Sequence, residues 1–248
     1  MVFYDSAEWH GQVRPVQNSL AVIDTKIGDV NGDRVPDIVR LMGVRSSDGS
    51  RSFVDQLSLS IQDGRTSMTY SMPLRENAGY HPTLFLGDFT GNRVNDILVS
   101  LDTGGSGGYS GNTMYSFLNN QAKLLFDSEQ YNRQQQNNYT VTYKDYYRVE
   151  VKSTSPAKTY LIDIQLKGKE YLSDLYNPNG TLKKPVQGEV TALSGEFPID
   201  WNRDGRYELL AIQRTIGLYN ADTLGYVMNF LRWDGSKFAT YNQWFSIP

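Results

Sequence analysis

An acidic pattern written three times constrains this chain more than any other feature. Gly28-Asp29-Val30-Asn31-Gly32-Asp33-Arg34-Val35-Pro36-Asp37-Ile38-Val39, Gly87-Asp88-Phe89-Thr90-Gly91-Asn92-Arg93-Val94-Asn95-Asp96-Ile97-Leu98 and Ile199-Asp200-Trp201-Asn202-Arg203-Asp204-Gly205-Arg206-Tyr207-Glu208-Leu209-Leu210 align without gaps. Their first aspartates stand at 29, 88 and 200, so the steps are 59 and 112 residues, the second being twice 56. A period of this size marks a repeat architecture and implies a fourth unit whose motif is lost, centred near residue 144 within 143–147.

Four hairpin signals support that count. Residues 57–60 and 66–70 flank Asp63-Gly64, 115–118 and 124–126 flank Asn119-Asn120, 160–166 and 171–172 flank Lys167-Gly168, and 227–233 and 238–241 flank Asp234-Gly235. Such pairs between alternating apolar runs suit turns whose central residues need positive φ. Each unit then carries a strand into the acidic loop, a strand out of it and a hairpin, which is the content of a four-stranded blade. The expected fold is an all-β propeller of four or five blades, one domain over residues 1–248, with calcium loops between strands. Residues 2–6 resemble 124–128, an outer strand, and so either close the ring or begin a fifth blade. Residues 130–138 read as a polar connector, and the glycine-rich stretch 103–109 as a flexible loop that opens no helix and so is a weak phosphate cradle.

Within each acidic loop, oxygen-bearing side chains fall at positions 1, 3, 5 and 9, with a backbone carbonyl at position 7. A tight turn folds these onto one point, and calcium takes six to eight such oxygens. The candidate ligands are Asp29, Asn31, Asp33, Val35 and Asp37 in the first loop, Asp88, Thr90, Asn92, Val94 and Asp96 in the second, and Asp200, Asn202, Asp204, Arg206 and Glu208 in the third. Two calcium sites, in the first and third loops, are expected, with a third in the carboxylate-poorer second loop. An EF-hand is excluded, because position 12 is Arg40, Val99 or Ala211 in a strand rather than a glutamate before a helix. The competing interpretation is that Asp and Asn merely close Asx turns.

These loops resemble the FG-GAP or VCBS-type repeat of integrin α-chain propellers and of many bacterial surface proteins. The resemblance spans roughly residues 20–248 and implies calcium at the positions just named. The third loop departs from it by carrying its glycine at position 6 rather than 4, and the second by carrying Asn92 for the usual Asp.

A net charge of −3, a pI near 5.4 and no basic run longer than Lys183-Lys184 argue against nucleic acid as a partner. No stretch of 18 apolar residues is present, so no transmembrane segment is expected. The first five residues lack a charged segment leading into an apolar one, so export would rely on a signal outside this sequence. The absence of cysteine excludes disulfide and thiolate chemistry.

Catalysis is not expected. Only His10 and His81 offer an imidazole base, each in a segment that reads as packing or turn. Calcium modules of ~10⁻⁴–10⁻³ M affinity suit the extracellular medium, which points to a secreted, cell-wall or spore-surface monomer. The expected role is binding or adhesion toward a protein or carbohydrate ligand, through Tyr109, Tyr131, Tyr139, Tyr146, Tyr147 and Trp244 and the segments 104–112 and 130–147. A structural coat or scaffold component is the alternative, and a carbohydrate-active enzyme a more distant one.

Overall fold

A computed structural model describes residues 19–46, 53–104 and 107–248. Its elements are strands, with two short α-helices and one 3-10 turn among the described residues. The first sheet holds β1 (Ala21–Gly28), β2 (Asp37–Arg45), β3 (Phe53–Gln62), β4 (Thr69–Pro73), β5 (Gly79–Gly87), β6 (Asp96–Asp102), β7 (Ser110–Ser116) and β8 (Lys123–Asp127). The second holds β9 (Tyr139–Lys144), β10 (Arg148–Ser153), β11 (Lys158–Asp163), β12 (Gln187–Ile199), β13 (Glu208–Ile216), β14 (Thr223–Trp233) and β15 (Phe238–Ser246). All pairings within the two sheets are antiparallel.

The all-β expectation holds, and so do four consecutive meanders. The ring of separate blades does not. Short ladders, Phe53↔Tyr80 with Val54↔Gly79 and Gln187↔Thr142 with Gly188↔Val141, fuse the meanders in pairs. The order β1-β2-β3-β5-β6-β7-β8, with β4 on β3, is thus one sheet, and β11-β10-β9-β12-β13-β14-β15 the other. The first sheet also folds back on itself, since β1 returns against β5 and the Leu84 amide donates to Asp24 at 2.9 Å.

The third meander has three strands because the expected hairpin at Lys167-Gly168 is a helix start instead. Gly168, at φ 92°, caps α2 (Lys169–Leu175). Tyr171 and Leu175 recur at a spacing of four, so the helix lays one apolar side on the core of Val141, Tyr143, Val149 and Val151. Residues 143–147, where the period centres the silent unit, hold the β9–β10 turn, with Tyr146 and Tyr147 both at φ 61°. Residues 130–138 are not a simple connector. Most of them belong to α1 (Ser128–Gln135), whose first turn is capped by Asp127 accepting from the Gln130 amide at 2.7 Å.

Alternation supplies the core. Val39 and Leu41 of β2 face Leu57, Leu59 and Ile61 of β3 and Ile97, Val99 and Leu101 of β6 inside the first sheet. A third cluster joins the two sheets: Phe89, Leu98, Met114 and Phe126 from the first half meet Leu193, Leu209, Ala211 and Leu231 from the second. At ~1.5–3 kcal/mol per fully buried large side chain, that cluster is ample to bind the halves together.

One acid sits in this seam. Glu196 of β12, 4% exposed, accepts from Ser128 Oγ at 2.6 Å and from Ser110 Oγ of β7. Burial pushes its carboxyl up to about 7 against the pull of the two serines.

Candidate functional site

The three acidic loops, β1–β2, β5–β6 and β12–β13, have one conformation. The position-1 carboxylate gathers backbone amides ahead of it: Asp29 takes Gly32 at 2.7 Å and Arg34 at 2.9 Å, Asp88 takes Gly91, Asn92 and Arg93, and Asp200 takes Asp204 and Gly205. Position 5 accepts from the amide of position 7 at 2.8 Å in every copy, Asp33 from Val35, Asn92 from Val94 and Asp204 from Arg206. Position 9 reaches back to the amide of position 2: Asp37 to Val30 at 3.0 Å, Asp96 to Phe89 at 3.0 Å and Glu208 to Trp201 at 3.4 Å. Positions 4 and 6 both have positive φ, through Gly32 and Arg34, Gly91 and Arg93, Arg203 and Gly205. One glycine per loop relieves one of the two, so its shift to position 6 in the third loop leaves the turn unchanged.

The loops also dock on one another. The position-8 amide of each later loop donates to the position-1 carbonyl of the one before, Asn95 to Asp29 at 3.0 Å and Tyr207 to Asp88 at 2.8 Å. A Cβ at Gly28 would lie 2.8 Å from the Asn95 side chain, and one at Gly87 would lie 2.8 Å from the Tyr207 ring. Glycine precedes the first two aspartates for that reason. The equivalent residue of the third loop is Ile199, and position 8 of the first loop is Pro36, which has no amide to give. The row therefore ends at both places. Arg206 ties it further, its guanidinium bonding the Phe89 carbonyl at 3.3 Å and the Trp233 carbonyl at 2.6 Å.

Among the described residues, no three Asp, Glu, His or Cys side chains converge to cation-binding distance. Asp33 turns to Arg65, 2.7 Å away, and Glu208 to Arg232 Nε at 3.0 Å. Asn31 donates to Asp63 and Asn120, Asn202 donates to Asp204 at 2.8 Å, and Asp37, fully buried, also takes the Gly64 amide at 2.9 Å. Asp96 is pushed up to about 6 by burial, against amide donors from Thr90 and Phe89. Thr90 Oγ is buried without a partner.

Where the row of loops ends, an aromatic surface begins. Position 2 is a core residue in the first two loops, Val30 and Phe89, each wholly buried. In the third it is Trp201, 57% exposed, and among the described residues no further loop docks over it. Its ring meets Trp244 of β15 at 5.3 Å and Phe230 of β14 at 5.4 Å, both edge-on. Phe230 is buried beneath Trp201, Trp244 and Tyr241, while Trp244 and Tyr241 remain 40% and 43% exposed. Arg232 stacks on Tyr241 at 4.4 Å and is held from behind by Glu208. Three open rings thus sit on the continuous ladder β12-β13-β14-β15.

The other aromatic candidates divide. Tyr131 is buried against Phe126, its hydroxyl unpartnered, and Tyr147 packs on Tyr176. Tyr146 is exposed at the β9–β10 turn, and Tyr139 enters a polar network with Asn229. Tyr109 lies in the β6–β7 connection, its carbonyl accepting from the Thr103 hydroxyl. His81 is exposed and paired with Asp102 at 3.1 Å. His10 and the strand-like residues 2–6 lie outside the described residues. The sequence signal for the platform was Trp201 itself, an indole at a position that is core in the other two copies.

Residues 137–246, from β9 to β15, match the model of the YybI C-terminal domain family. The FG-GAP or VCBS resemblance is corrected by this finding, as no such repeat family is detected. Nine residues of Asx-type closure recur wherever a tight acidic turn joins two strands, so the motif alone did not identify a family. A solved rhamnogalacturonan lyase (PL11) of Bacillus licheniformis overlays 92% of this chain at 12% identity and a TM-score of 0.41, a score below that of a shared fold. The chain spans about a third of that enzyme's length, 34%. The YybI protein of Bacillus subtilis (strain 168), described as uncharacterized, is 43% identical over 234 residues, covering 94% of this chain and 87% of its own length. The chain belongs to the YybI family.

Proposed function

We propose that this protein is a non-catalytic binding module of the cell wall or spore surface, outside the cytosol, that takes hold of a glycan polymer through Trp201, Trp244 and Tyr241. The observation that supports it is the exposure of Trp201 at a position that is core in both sister loops. Indole and phenol rings offer apolar faces to the C–H faces of sugars and lose little side-chain entropy on contact. Phe230 underneath and the Glu208–Arg232 pair beside them fix the rings before any ligand arrives.

Retention on insoluble cell-wall polysaccharide tests this. Trp201→Ala and Trp244→Ala should each weaken retention by about tenfold or more, in line with hot-spot aromatics, while the protein stays folded with a modest stability loss from the contacts to Phe230. Equal retention of both variants and the parent would remove the platform from the function. If the parent is not retained at all, a coat or scaffold role takes its place.

Calcium at the first and third loops is retained in the same proposal as an added staple. A carboxylate offers about four lone-pair sites, and the loop amides use two or three of them. In ~1 mM calcium the melting temperature should exceed that in chelator by several degrees. Superimposed curves would take the metal out.

A further inference from the structure

A second recess lies away from the aromatic platform. It is a cleft of about 310 Å³ between α1 and the start of β12, at the lower end of the ~300–1,000 Å³ typical of small-molecule sites. Asn132 and Gln135 of α1 and Gln136, which caps it, form one wall, Tyr139 opens β9, and Thr191 and Gln213 close the floor. Glu189 is the one charged residue on its lining, so no cation is present there to hold an acid.

The floor is braced by buried amides. Gln213, 2% exposed, donates to the Thr191 carbonyl at 2.9 Å, Asn229 donates to the Tyr139 hydroxyl at 2.9 Å, and Gln243 donates to Asn229 at 2.8 Å. Tyr139 thus lends its ring to the cleft wall while its hydroxyl accepts from Asn229 at the buried end. Asn132 accepts the Leu193 amide at 2.9 Å through its oxygen, which leaves its NH₂ group to donate. Carboxamides, each able to donate and accept, complement hydroxyl groups, which do the same. An acid would meet Glu189 with no compensating charge.

From this geometry we infer that the cleft binds a neutral, hydroxylated ligand of mono- to disaccharide size, at a site separate from the Trp201–Trp244 platform.

Side-chain amide resonances of the intact chain, titrated with glucose, galactose, N-acetylglucosamine, maltose and cellobiose, test this. At least one sugar should shift the carboxamides of Asn132, Gln135 and Gln213. Ala192→Phe, which fills the recess, and Gln136→Ala, at an exposed wall position, should each weaken that sugar by about tenfold or more. Trp244→Ala should leave the titration unchanged. Gln136→Ala keeps the test open if Ala192→Phe does not fold. The inference is overturned if no neutral sugar shifts these amides, if Gln136→Ala binds like the parent, or if glucuronate or glucosamine binds as tightly as the neutral sugar. It is equally overturned if Trp244→Ala abolishes the shifts, since the ligand would then belong to the platform. Loss of polysaccharide retention in the tryptophan variants reports on the other site alone.

Discussion

Asp37→Ala should destabilise the protein by about 3–5 kcal/mol in urea unfolding, the largest loss of any loop substitution. The carboxylate is wholly buried and accepts two amides, from Val30 within its own loop and from Gly64 in the β3–β4 turn. Removing it orphans both donors, at ~1–3 kcal/mol each, and opens a polar void beside the first core. Asp37→Asn should recover part of the loss, since its oxygen can still accept one amide while its NH₂ faces the other. Most of the loss should persist in chelator, because both amides are orphaned whether or not an ion adds to the first loop. A cost below about 1 kcal/mol would show that water or Asn31 takes over both amides, and a cost that disappears in chelator would assign Asp37 to calcium.

Glu196→Gln should act in the opposite sense, with a gain that grows from about pH 4.5 and is complete above about pH 7. In the fold, burial raises this carboxyl from 4.5 to about 7, so the native state holds the proton more tightly than the unfolded chain. The ionised form consequently carries a penalty that is complete above about pH 7, shrinks as pH falls, and is gone below pH 4.5. That interval corresponds to roughly 3 kcal/mol. Glutamine mimics the neutral acid, so the variant should be more stable than the parent by up to about 3 kcal/mol at pH 8 and equal to it near pH 4.5. Glu76 faces the same seam and is itself raised by burial, so its charge adds to the penalty on Glu196. Urea unfolding at the two pH values reads the difference. A variant less stable than the parent at pH 8 would mean that the Ser110 and Ser128 donors outweigh burial of the charge.

By itself the sequence determined whatever depends on neighbouring residues. Alternating runs placed most strands, and Asp63-Gly64, Asn119-Asn120 and Asp234-Gly235 placed three hairpins. The nine-residue loops were legible too, since their φ signs and Asx bonds are set within the loop. Tertiary structure alone decided the rest. Whether meanders stand apart or fuse depends on two-residue ladders such as Gly188↔Val141, which no local pattern encodes. The Lys167-Gly168 pair suits a hairpin turn or a helix start equally well, and the apolar core waiting for Tyr171 and Leu175 made it a helix. Glu196 is raised by burial in the seam between the two halves, against the pull of Ser110, 86 residues away, so its acidity lies outside any sequence window. Trp201 shows the same limit most directly: Val30, Phe89 and Trp201 hold one position in one motif, and only the docking of a further loop distinguishes a core side chain from an open ring. Backbone conformation is a local property, whereas burial is conferred by whatever the completed fold sets against a residue.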